Sequence, residues 1–259
     1  FEKIIRSFDG VELYHCQDIP ESNKATVVVV HGLGEQCRRY DYVVRKLNAA
    51  GYGVIRFDNR GHGRSGGARG YLRDFNAFLD DTDFIVERTR LEHQEKPIFL
   101  LGHSMGGFIT AAYGVKYPGK LAGQVLSGAC AKSLPIFESF RRANIDKIAL
   151  NPSPNSLSAL ICRSQAVVDA YDRDPYVLQV FTNKLLHEVF INGIDWFMAS
   201  VSHHAVPCLI LHGGEDRIVP VESSQYLYDH TSAQDKTITI YPGLYHEILN
   251  EEKEKDGII

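Results

Sequence analysis

Short runs of apolar residues recur along the chain and alternate with segments of helical composition. Because the runs are continuous and rich in β-branched residues, they are typical of strands buried on both faces of a sheet. They occupy residues 26–30, 53–58, 97–101, 121–127, 208–211 and 237–241. Helical composition follows at residues 40–50, from Asn76 onward and at 108–115. Strands that alternate with helices predict an α/β protein with a mostly parallel central sheet flanked by helices.

The first 20 residues depart from this alternation. Two β-like runs, residues 3–8 and 11–16, are joined by Asp9-Gly10. That dipeptide between two β-like runs indicates a hairpin. We therefore expect a pair of antiparallel strands at the start of the chain.

A long segment between two of the buried runs does not alternate regularly. A parallel crossover needs only about a dozen residues. We therefore predict that residues 131–205 form a cap inserted above the carboxyl edge of the sheet, and that residues 1–130 and 206–259 form the core. The segment includes helix-like pieces at 166–171 and 176–191. Its apolar residues are expected to line a cavity, to form a small core of the insertion, or both: Leu160, Val167, Val168, Val177, Val180, Phe181, Leu185, Phe190, Trp196 and Phe197.

Composition narrows the classes of function. The chain has 259 residues, 44% of them hydrophobic and 23% charged, which is ordinary for a globular protein with a substantial core. A net charge of −4 gives no electrostatic basis for binding nucleic acid or an anionic membrane. No apolar run approaches the ~20 residues of a membrane helix, and no signal peptide is recognisable after Phe1.

The cysteines indicate the compartment. The five are odd in number, scattered, and form no Cys-x-x-Cys pair, which disfavours a disulfide framework and a structural zinc site. The chain also lacks an N-glycosylation sequon. We therefore expect a reducing, cytoplasmic location.

The strongest chemical signal is Gly102-His103-Ser104-Met105-Gly106, between a predicted strand and a predicted helix. Strand, G-x-S-x-G and helix together form a nucleophile elbow, a sharp turn that presents a serine hydroxyl at the carboxyl edge of a parallel sheet. Side chains in place of Gly102 and Gly106 would collide with the neighbouring strand and helix. The helix N-terminus favours a developing negative charge beside the serine. Ser104 is the predicted nucleophile.

A second glycine-rich turn, His31-Gly32-Leu33-Gly34-Glu35, directly follows the run at 26–30. Such a turn lets backbone N–H groups face the carboxyl edge of the sheet. A serine hydrolase takes one oxyanion donor from this position and the other from the residue after the nucleophile. The backbone N–H groups of Leu33 and Met105 are the candidates.

Gly61-His62-Gly63-Arg64-Ser65-Gly66 is a competing signal, because it matches the G-x-G-x-x-G of dinucleotide-binding proteins. In those proteins a helix opens on the glycines, whereas here the next helix begins near Asn76. The acids about 20 residues further on, Asp83 and Glu87, lie on that helix and not at a strand end. We interpret the stretch as a structural loop, which disfavours a dinucleotide-dependent oxidoreductase.

A serine hydroxyl becomes a good nucleophile when a histidine takes its proton, and the histidine needs an acid to hold its tautomer. In the elbow-containing fold the acid and the histidine follow the serine in that chain order. Asp216 comes just after one predicted strand and His246 just after the next, so both belong at the edge that carries Ser104. Glu215 is the serious rival acid, and the weaker candidates are His203, His204, His212 and Asp235.

Several stretches together carry a family resemblance. They are His31-Gly-Leu-Gly-Glu35 with Arg39-Tyr40, Asp58-Asn-Arg-Gly-His-Gly-Arg-Ser-Gly66, Gly102-His-Ser-Met-Gly-Gly107, Gly214-Glu-Asp-Arg217, Tyr241-Pro-Gly-Leu-Tyr-His246-Glu-Ile-Leu-Asn-Glu251 and, in the insertion, Ile161-Cys-Arg-Ser164 with Val168-Asp-Ala-Tyr-Asp-Arg-Asp-Pro175. They resemble the monoacylglycerol lipase and lysophospholipase-like branch of the α/β-hydrolases over nearly the whole chain. Asn59 stands where this branch often has histidine, and the chain ends soon after Glu252, where the branch usually adds a last helix.

The resemblance implies hydrolysis of a small lipid ester, a long-chain monoacylglycerol, through an acyl-enzyme and without a metal or cofactor. Lysophospholipids and short generic esters are the alternatives, because the same catalytic residues would serve them. Glu35 and Arg39 correspond to polar residues near the glycerol end of the pocket. Transient contact of the cap with a membrane surface is expected, and the oligomeric state is left open. The presence of every catalytic element disfavours a silent binding protein.

Overall fold

Eight strands form the central sheet of the computed structural model, which describes residues 1–93 and 96–259. Counting the two strands of a separate hairpin, the described residues form ten strands. In chain order these are β1 (Glu2–Arg6), β2 (Glu12–Asp18), β3 (Thr26–Val30), β4 (Gly53–Phe57), β5 (Ile98–His103), β6 (Gly123–Ser127), β7 (Pro152–Pro154), β8 (Val180–Thr182), β9 (Cys208–Gly213) and β10 (Lys236–Tyr241). The sheet has the order β1-β2-β4-β3-β5-β6-β9-β10, and β7 pairs with β8 in a separate hairpin. The predicted α/β fold with a mostly parallel sheet is confirmed. In the central sheet β2 pairs antiparallel with β1 and with β4, and the other five neighbouring pairs are parallel.

The helices surround this sheet. They are α1 (Asp41–Ala49), α2 (Asn76–Glu92), α3 (Met105–Lys116), α4 (Ile145–Ile148), α5 (Ser158–Ile161), α6 (Gln165–Arg173), α7 (Asn183–His187), α8 (Ile194–Ser200), α9 (Val221–His230) and α10 (Lys255–Ile258). Short 3₁₀ turns occupy Cys37–Tyr40, Pro135–Arg142, Val201–His203 and Ile248–Asn250, and a π-helical turn occupies Glu188–Gly193. Among the described residues, no helix is both long enough and apolar enough to cross a membrane.

Alternate residues of the central strands face two different cores. Val28 and Val30 of β3 pack with apolar residues of α2, α3 and α9 on one face of the sheet. Val27 and Val29 pack with residues of α1 and, at the edge, of α10 on the other face. Because successive side chains of a strand point to opposite faces, a strand covered on both sides is apolar throughout. All five residues of β3 are buried for this reason.

The segment between β6 and β9 differs from its prediction in one place. The helix expected at 166–171 is present as α6, but the one expected at 176–191 begins only at Asn183, because the preceding residues form β8 against β7. Several of the segment's apolar residues are buried in the main core, including Leu185, Phe190 and Phe197, whereas Val180 is exposed. Val168 and Val177 form a small core with α5 residues.

Candidate active site

Ser104 lies at the sharp turn between β5 and α3. Its backbone has φ +57° and ψ −118°, and within residues 1–93 and 96–259 it is the one non-glycine residue with positive φ. Such a conformation costs about 1–3 kcal/mol and persists where neighbours hold it. The Ser104 N–H donates to the Ser127 carbonyl at 3.0 Å, and the Ser104 carbonyl accepts from Phe108 and Cys130 N–H groups. The predicted elbow therefore exists, held from β6 and from α3.

Gly102 and Gly106 make this turn possible. A Cβ on Gly102 would lie 2.2 Å from the Gly106 carbonyl oxygen, and a Cβ on Gly106 would lie 2.1 Å from the Val30 carbonyl oxygen. No real Cβ tolerates backbone at these distances. The collision predicted from the sequence is confirmed, and it explains why the helix can approach the sheet closely enough to turn directly after Ser104.

Asp216 and His246 meet at the same sheet edge, just beyond the ends of β9 and β10. His246 Nδ1 donates a hydrogen bond of 2.6 Å to Asp216 Oδ2. Asp216 Oδ1 accepts from the backbone N–H groups of Ile218 at 2.8 Å and Val219 at 2.9 Å, which fixes the carboxylate plane. The rival acid Glu215 is exposed at the surface. The acid that contacts the histidine is thus Asp216.

The electrostatics of this pair suit a general base. Burial lowers the pKa of His246, but the negative charge of Asp216 outweighs burial and raises that pKa above its ordinary value. Burial raises the pKa of Asp216, and His246 with His212 outweighs it and lowers that pKa well below its ordinary range. Asp216 is therefore ionised at neutral pH and stabilises an imidazolium at His246.

His103, directly before Ser104, is a residue that the sequence argument did not use. Its ring lies 4.5 Å from the His246 ring, centroid to centroid, and its Nδ1 lies 3.0 Å from the Ser127 carbonyl oxygen. Burial, with the neighbouring His246, lowers the pKa of His103 to about 4, so it is neutral at pH 7. A neutral ring here supports His246 without competing for its proton. Its place in the elbow pentapeptide was the available signal.

The turn after β3 lies against the nucleophile. The Cα of Gly32 is so close to Ser104 that an added Cβ would meet the serine Cβ at 3.2 Å. Gly34 has φ +78°, which lets the chain reverse here. The Gly32 N–H donates to Glu35 Oε1 at 2.6 Å, so the carboxylate of Glu35 holds the turn. Leu33 lies between these two glycines and lines the cavity beside Ser104.

Glu35 and Arg39 belong to a buried ion cluster that also contains Glu247. Arg39 Nη1 donates to Glu35 Oε2 at 2.9 Å, and the guanidinium donates to both oxygens of Glu247, at 2.6 and 2.8 Å. Tyr40 donates its hydroxyl to Glu35 Oε1 at 2.8 Å. The three charged side chains are 5–10% exposed. Sequence reasoning missed Glu247, although its position directly after His246 was a signal.

This ion cluster joins two parts of the site. Glu35 holds the turn that carries Leu33, Glu247 follows His246, and Arg39 bonds to both carboxylates. Burial raises the pKa of Glu247, but the charge of Arg39 outweighs it and brings that pKa to about 2. The two carboxylates and one guanidinium leave a net negative charge at this end of the site.

Two cavities lie in this region, and Ser104 lines the first of them. The first, of about 20 Å³, is walled by Ser104, His246 and the other residues Gly32, Leu33, Glu35, His103, Leu157, Ile161, Tyr171, Ile218 and Glu247. It has room for about one water molecule. The second, of about 240 Å³, is mostly apolar and is lined by residues that include Phe137, Phe140 and Phe181. Leu33 and Leu157 line both cavities.

The segment between β6 and β9 is fastened to the loop that carries His246. The Glu247 N–H donates to the Ile161 carbonyl at 2.7 Å, and Arg163 Nε donates to Glu251 Oε2 at 3.0 Å. The sequence predicts a solvated helix start at residues 251–255, but Glu251 is only 2% exposed. That prediction is wrong for Glu251, because Arg163 and the Tyr245 N–H supply partners that make its burial tolerable.

Three of the remaining sequence candidates lie outside this arrangement: the glycine-rich stretch at 61–66, Asp235 and His203. The glycine-rich stretch at 61–66 is a loop, and α2 begins only at Asn76, as expected for a structural role. Asp235 lies at the start of β9 and β10, the edge opposite Ser104, where its carbonyl accepts from the Cys208 N–H. His203 is exposed. Throughout the described part of the chain there is no group of three His, Cys, Asp or Glu side chains arranged for a metal ion.

Comparison with known proteins assigns the family. Residues 21–253 match the family described as serine aminopeptidase, S33. The chain belongs to this family. The monoacylglycerol lipase of Mycolicibacterium smegmatis is 34% identical to this S33 hydrolase over 252 residues, which cover 95% of this chain and 90% of that relative.

Solved structures agree with this assignment. The Paleococcus ferrophilus monoacylglycerol lipase superposes with a TM-score of 0.85 at 31% identity, over 95% of each chain. A soluble variant of the Saccharomyces cerevisiae monoglyceride lipase, in complex with a substrate analogue, superposes with a TM-score of 0.87 at 20% identity, over 99% of this chain and 91% of that one. This second likeness bears on the fold alone. The S33 hydrolase is thus an α/β-hydrolase and a serine ester hydrolase, as the resemblance implied.

Proposed function

We propose that this S33 hydrolase cleaves the carboxylic ester of long-chain monoacylglycerols to a fatty acid and glycerol. The observation that carries the proposal is the lining of the small cavity that holds Ser104 and His246. The carboxylates of Glu35 and Glu247 line it as well, and its residues Leu33 and Leu157 also line the larger apolar cavity. One side suits an acyl chain and the other suits a small group with hydroxyl donors. The names of the M. smegmatis and P. ferrophilus relatives support the same substrate class.

Ester cleavage proceeds through an acyl-enzyme in this proposal. Ser104 attacks the ester carbonyl while His246 takes the hydroxyl proton, and His246 then returns that proton to the departing glycerol oxygen. A water molecule, activated by the same imidazole, releases the fatty acid. Asp216 accepts a 2.6 Å hydrogen bond from His246 Nδ1 and so keeps the hydrogen on that nitrogen. This leaves Nε2 free to take the serine proton, which supports the role of His246 as the base.

The oxyanion of the tetrahedral intermediate is held by the backbone N–H groups of Leu33 and Met105. Met105 is the first residue of α3, so the helix has no carbonyl to offer its N–H group. The Leu33 N–H belongs to the turn that Glu35 fixes through Gly32. Loss of one oxyanion donor costs ~10²–10³ in kcat in a serine protease, which sets the scale of this contribution.

Residues 131–205 form the cap and residues 1–130 with 206–259 the core in this proposal. The cap supplies Phe137, Phe140 and Phe181 to the 240 Å³ cavity, which suits an acyl chain. Leu33 and Leu157 line both this cavity and the one beside Ser104, so an acyl chain bound here would pass these two side chains to reach Ser104.

The glycerol end is formed by the cluster of Glu35, Arg39 and Glu247. Carboxylate oxygens accept hydrogen bonds from the free hydroxyls of a monoacylglycerol, and Arg39 orients both carboxylates. A fully acylated glycerol has no hydroxyl to offer and forgoes these hydrogen bonds, each of which contributes about 1.5–3 kcal/mol when the acceptor is charged. The net negative charge of the cluster also disfavours a phosphate-bearing head group, so it favours monoacylglycerol over the alternative lysophospholipid.

The cap surface supports transient contact with a membrane that holds the substrate. Ile136 is 76% exposed and Leu150 is 74% exposed, both in the first part of the cap. Apolar side chains of this kind insert shallowly into a lipid surface.

A cytoplasmic location is part of the proposal. Cys16, Cys37, Cys130, Cys162 and Cys208 are all unpaired and buried, which suits a reducing compartment.

The test is hydrolysis of mono-, di- and triacylglycerols, lysophosphatidylcholine and a p-nitrophenyl ester at matched chain length. We expect monoacylglycerol to exceed triacylglycerol at least tenfold in kcat/KM. Glu35→Gln should lower that ratio more than it slows the p-nitrophenyl ester. Equal rates on monoacylglycerol and triacylglycerol, or faster cleavage of the lysophospholipid, would contradict the head-group assignment.

A further inference from the structure

His212, near the end of β9, is a buried titratable group with no role in the mechanism above. Its side chain is fully buried. Its Nε2 lies 2.8 Å from the Val219 carbonyl oxygen and 3.1 Å from Asp216 Oδ2. Its Nδ1 lies 2.7 Å from the hydroxyl oxygen of Ser224 in α9. The ring thus connects β9, the turn that carries the acid, and α9.

The partners of Nε2 fix its state. A carbonyl oxygen and a carboxylate oxygen are both acceptors, so Nε2 carries a hydrogen. That N–H donates mainly to the Val219 carbonyl and is also directed towards Asp216 Oδ2. Val219 in turn donates its own N–H to Asp216 Oδ1 at 2.9 Å. His212 therefore closes the turn from residue 216 to residue 219 around the carboxylate.

Asp216 Oδ2 thus has an imidazole N–H on each side. His246 Nδ1 approaches it at 2.6 Å and His212 Nε2 at 3.1 Å. A hydrogen-bond donor on a carboxylate withdraws charge from the bond that the same oxygen accepts elsewhere. The strength with which Asp216 holds the imidazolium of His246 consequently depends on His212.

We infer that His212 is a positioning residue of this S33 hydrolase. It orients the carboxylate of Asp216 and limits how strongly that carboxylate attracts the imidazolium of His246. The inference rests on the roles proposed above for Asp216 and His246, and it concerns any ester that this site cleaves. It therefore does not depend on the lipid head group.

Removal of the His212 Nε2–H should raise the pKa of His246. His246 becomes the sole imidazole donor to Oδ2, so its imidazolium is held more tightly and its pKa rises. The other groups that face this pair stay in place: His103, Glu35 and Glu247 around His246, and Cys130 beside Asp216. On the acidic side of the pH profile, kcat/KM falls as the base of the free enzyme becomes protonated. This part of the profile, the acid limb, should therefore move to higher pH.

The experiment compares His212→Phe, His212→Gln and the matched control His204→Phe. His204 is also fully buried and also bonds through both ring nitrogens, to Thr231 at 2.7 Å and to Gln124 at 2.8 Å. Those partners lie at the sheet edge opposite Ser104. The pH profile of kcat/KM on p-nitrophenyl butyrate and the melting temperature are measured for each variant.

We expect His212→Phe to raise the apparent pKa of the acid limb by about 0.5 and to lower kcat/KM about tenfold. The amide of His212→Gln can donate to the same oxygens and should restore most of both. His204→Phe should lower the melting temperature and leave the limb unchanged. An equal shift in His204→Phe, or no shift in His212→Phe, would overturn the inference.

Ser224→Ala provides a second route if His212→Phe does not fold. It removes the partner of Nδ1 and leaves the imidazole in place, so we expect a smaller shift in the same direction. An unchanged limb in this variant would also overturn the inference. A wild-type enzyme that cleaves the p-nitrophenyl ester but not monoacylglycerol would refute the proposed substrate alone, because the limb is measured without a lipid.

Discussion

Arg39→Met removes the cation that joins the turn beside Ser104 to the loop that carries His246. Methionine preserves much of the apolar stem, so the change isolates the guanidinium. Three hydrogen bonds of 2.6–2.9 Å disappear, and two carboxylates remain in a region where the side chains are 5–10% exposed. Breaking a buried ion pair in this way costs about 3–5 kcal/mol. The melting temperature should fall by about 10 °C.

The pH dependence of this loss follows from Glu247. In the wild type the pKa of Glu247 is about 2, below its ordinary value, so its contribution to stability is present above pH 4.5 and is lost as the pH falls towards 2. Without Arg39, burial should outweigh the remaining hydrogen bond from Asn250 and raise the pKa of Glu247 above its ordinary value. The folded variant then takes up a proton on acidification and regains stability. The difference between wild type and variant should be largest at pH 7 and smaller by about 1 kcal/mol at pH 5.

Urea unfolding followed by the fluorescence of the one tryptophan, Trp196, measures this difference at both pH values. Arg60→Met is the matched control, since Arg60 is 12% exposed and pairs with the fully buried Asp81 and with Asp9, away from Ser104. Both variants should lose stability. Only Arg39→Met should slow p-nitrophenyl ester hydrolysis, by roughly tenfold or more because a misplaced catalytic group is costly, and monoacylglycerol hydrolysis further still. A loss of stability below 1 kcal/mol, a loss independent of pH, or an equal loss of activity in the control would refute the reasoning.

Three further predictions concern the reacting groups. An activated phosphonate should label Ser104, and Ser104→Ala should abolish labelling and turnover; an adduct found by intact mass and peptide mapping on another residue would exclude Ser104 as the nucleophile. Asp216→Asn should keep the fold and lower turnover by about 10⁴, the scale of the same change in a protease triad, whereas Glu215→Gln should have little effect; the reverse order would identify Glu215 as the acid. Because the pKa of His246 is raised, kcat/KM on a p-nitrophenyl ester should fall as the pH drops through an apparent pKa above the ordinary value for histidine; an apparent pKa at or below that ordinary value would contradict the electrostatic role of Asp216.

The sequence by itself determined the fold class and the position of the elbow. Both depend on local patterns: strand-length apolar runs, helical segments between them, and glycines where a Cβ would collide with backbone. The order Ser104, Asp216, His246 could be predicted because parallel strands bring their carboxyl ends to one edge whatever lies between them. The hydrogen bond between the last two was thus expected before its 2.6 Å length was known.

Only the tertiary structure decided which side chains surround these groups. Arg39 and Glu247 are 208 positions apart, and no periodicity links them; they meet because β3 and β10 end at the same edge. Residues 180–182 form a strand because residues 152–154 lie beside them, which overrides the helical composition of the segment. His212 contacts Asp216 because β9 and α9 enclose it. Sequence patterns reflect the regular alternation of side-chain directions along strands and helices. The pairing of buried charges, in contrast, depends on distances that exist only once the chain has folded.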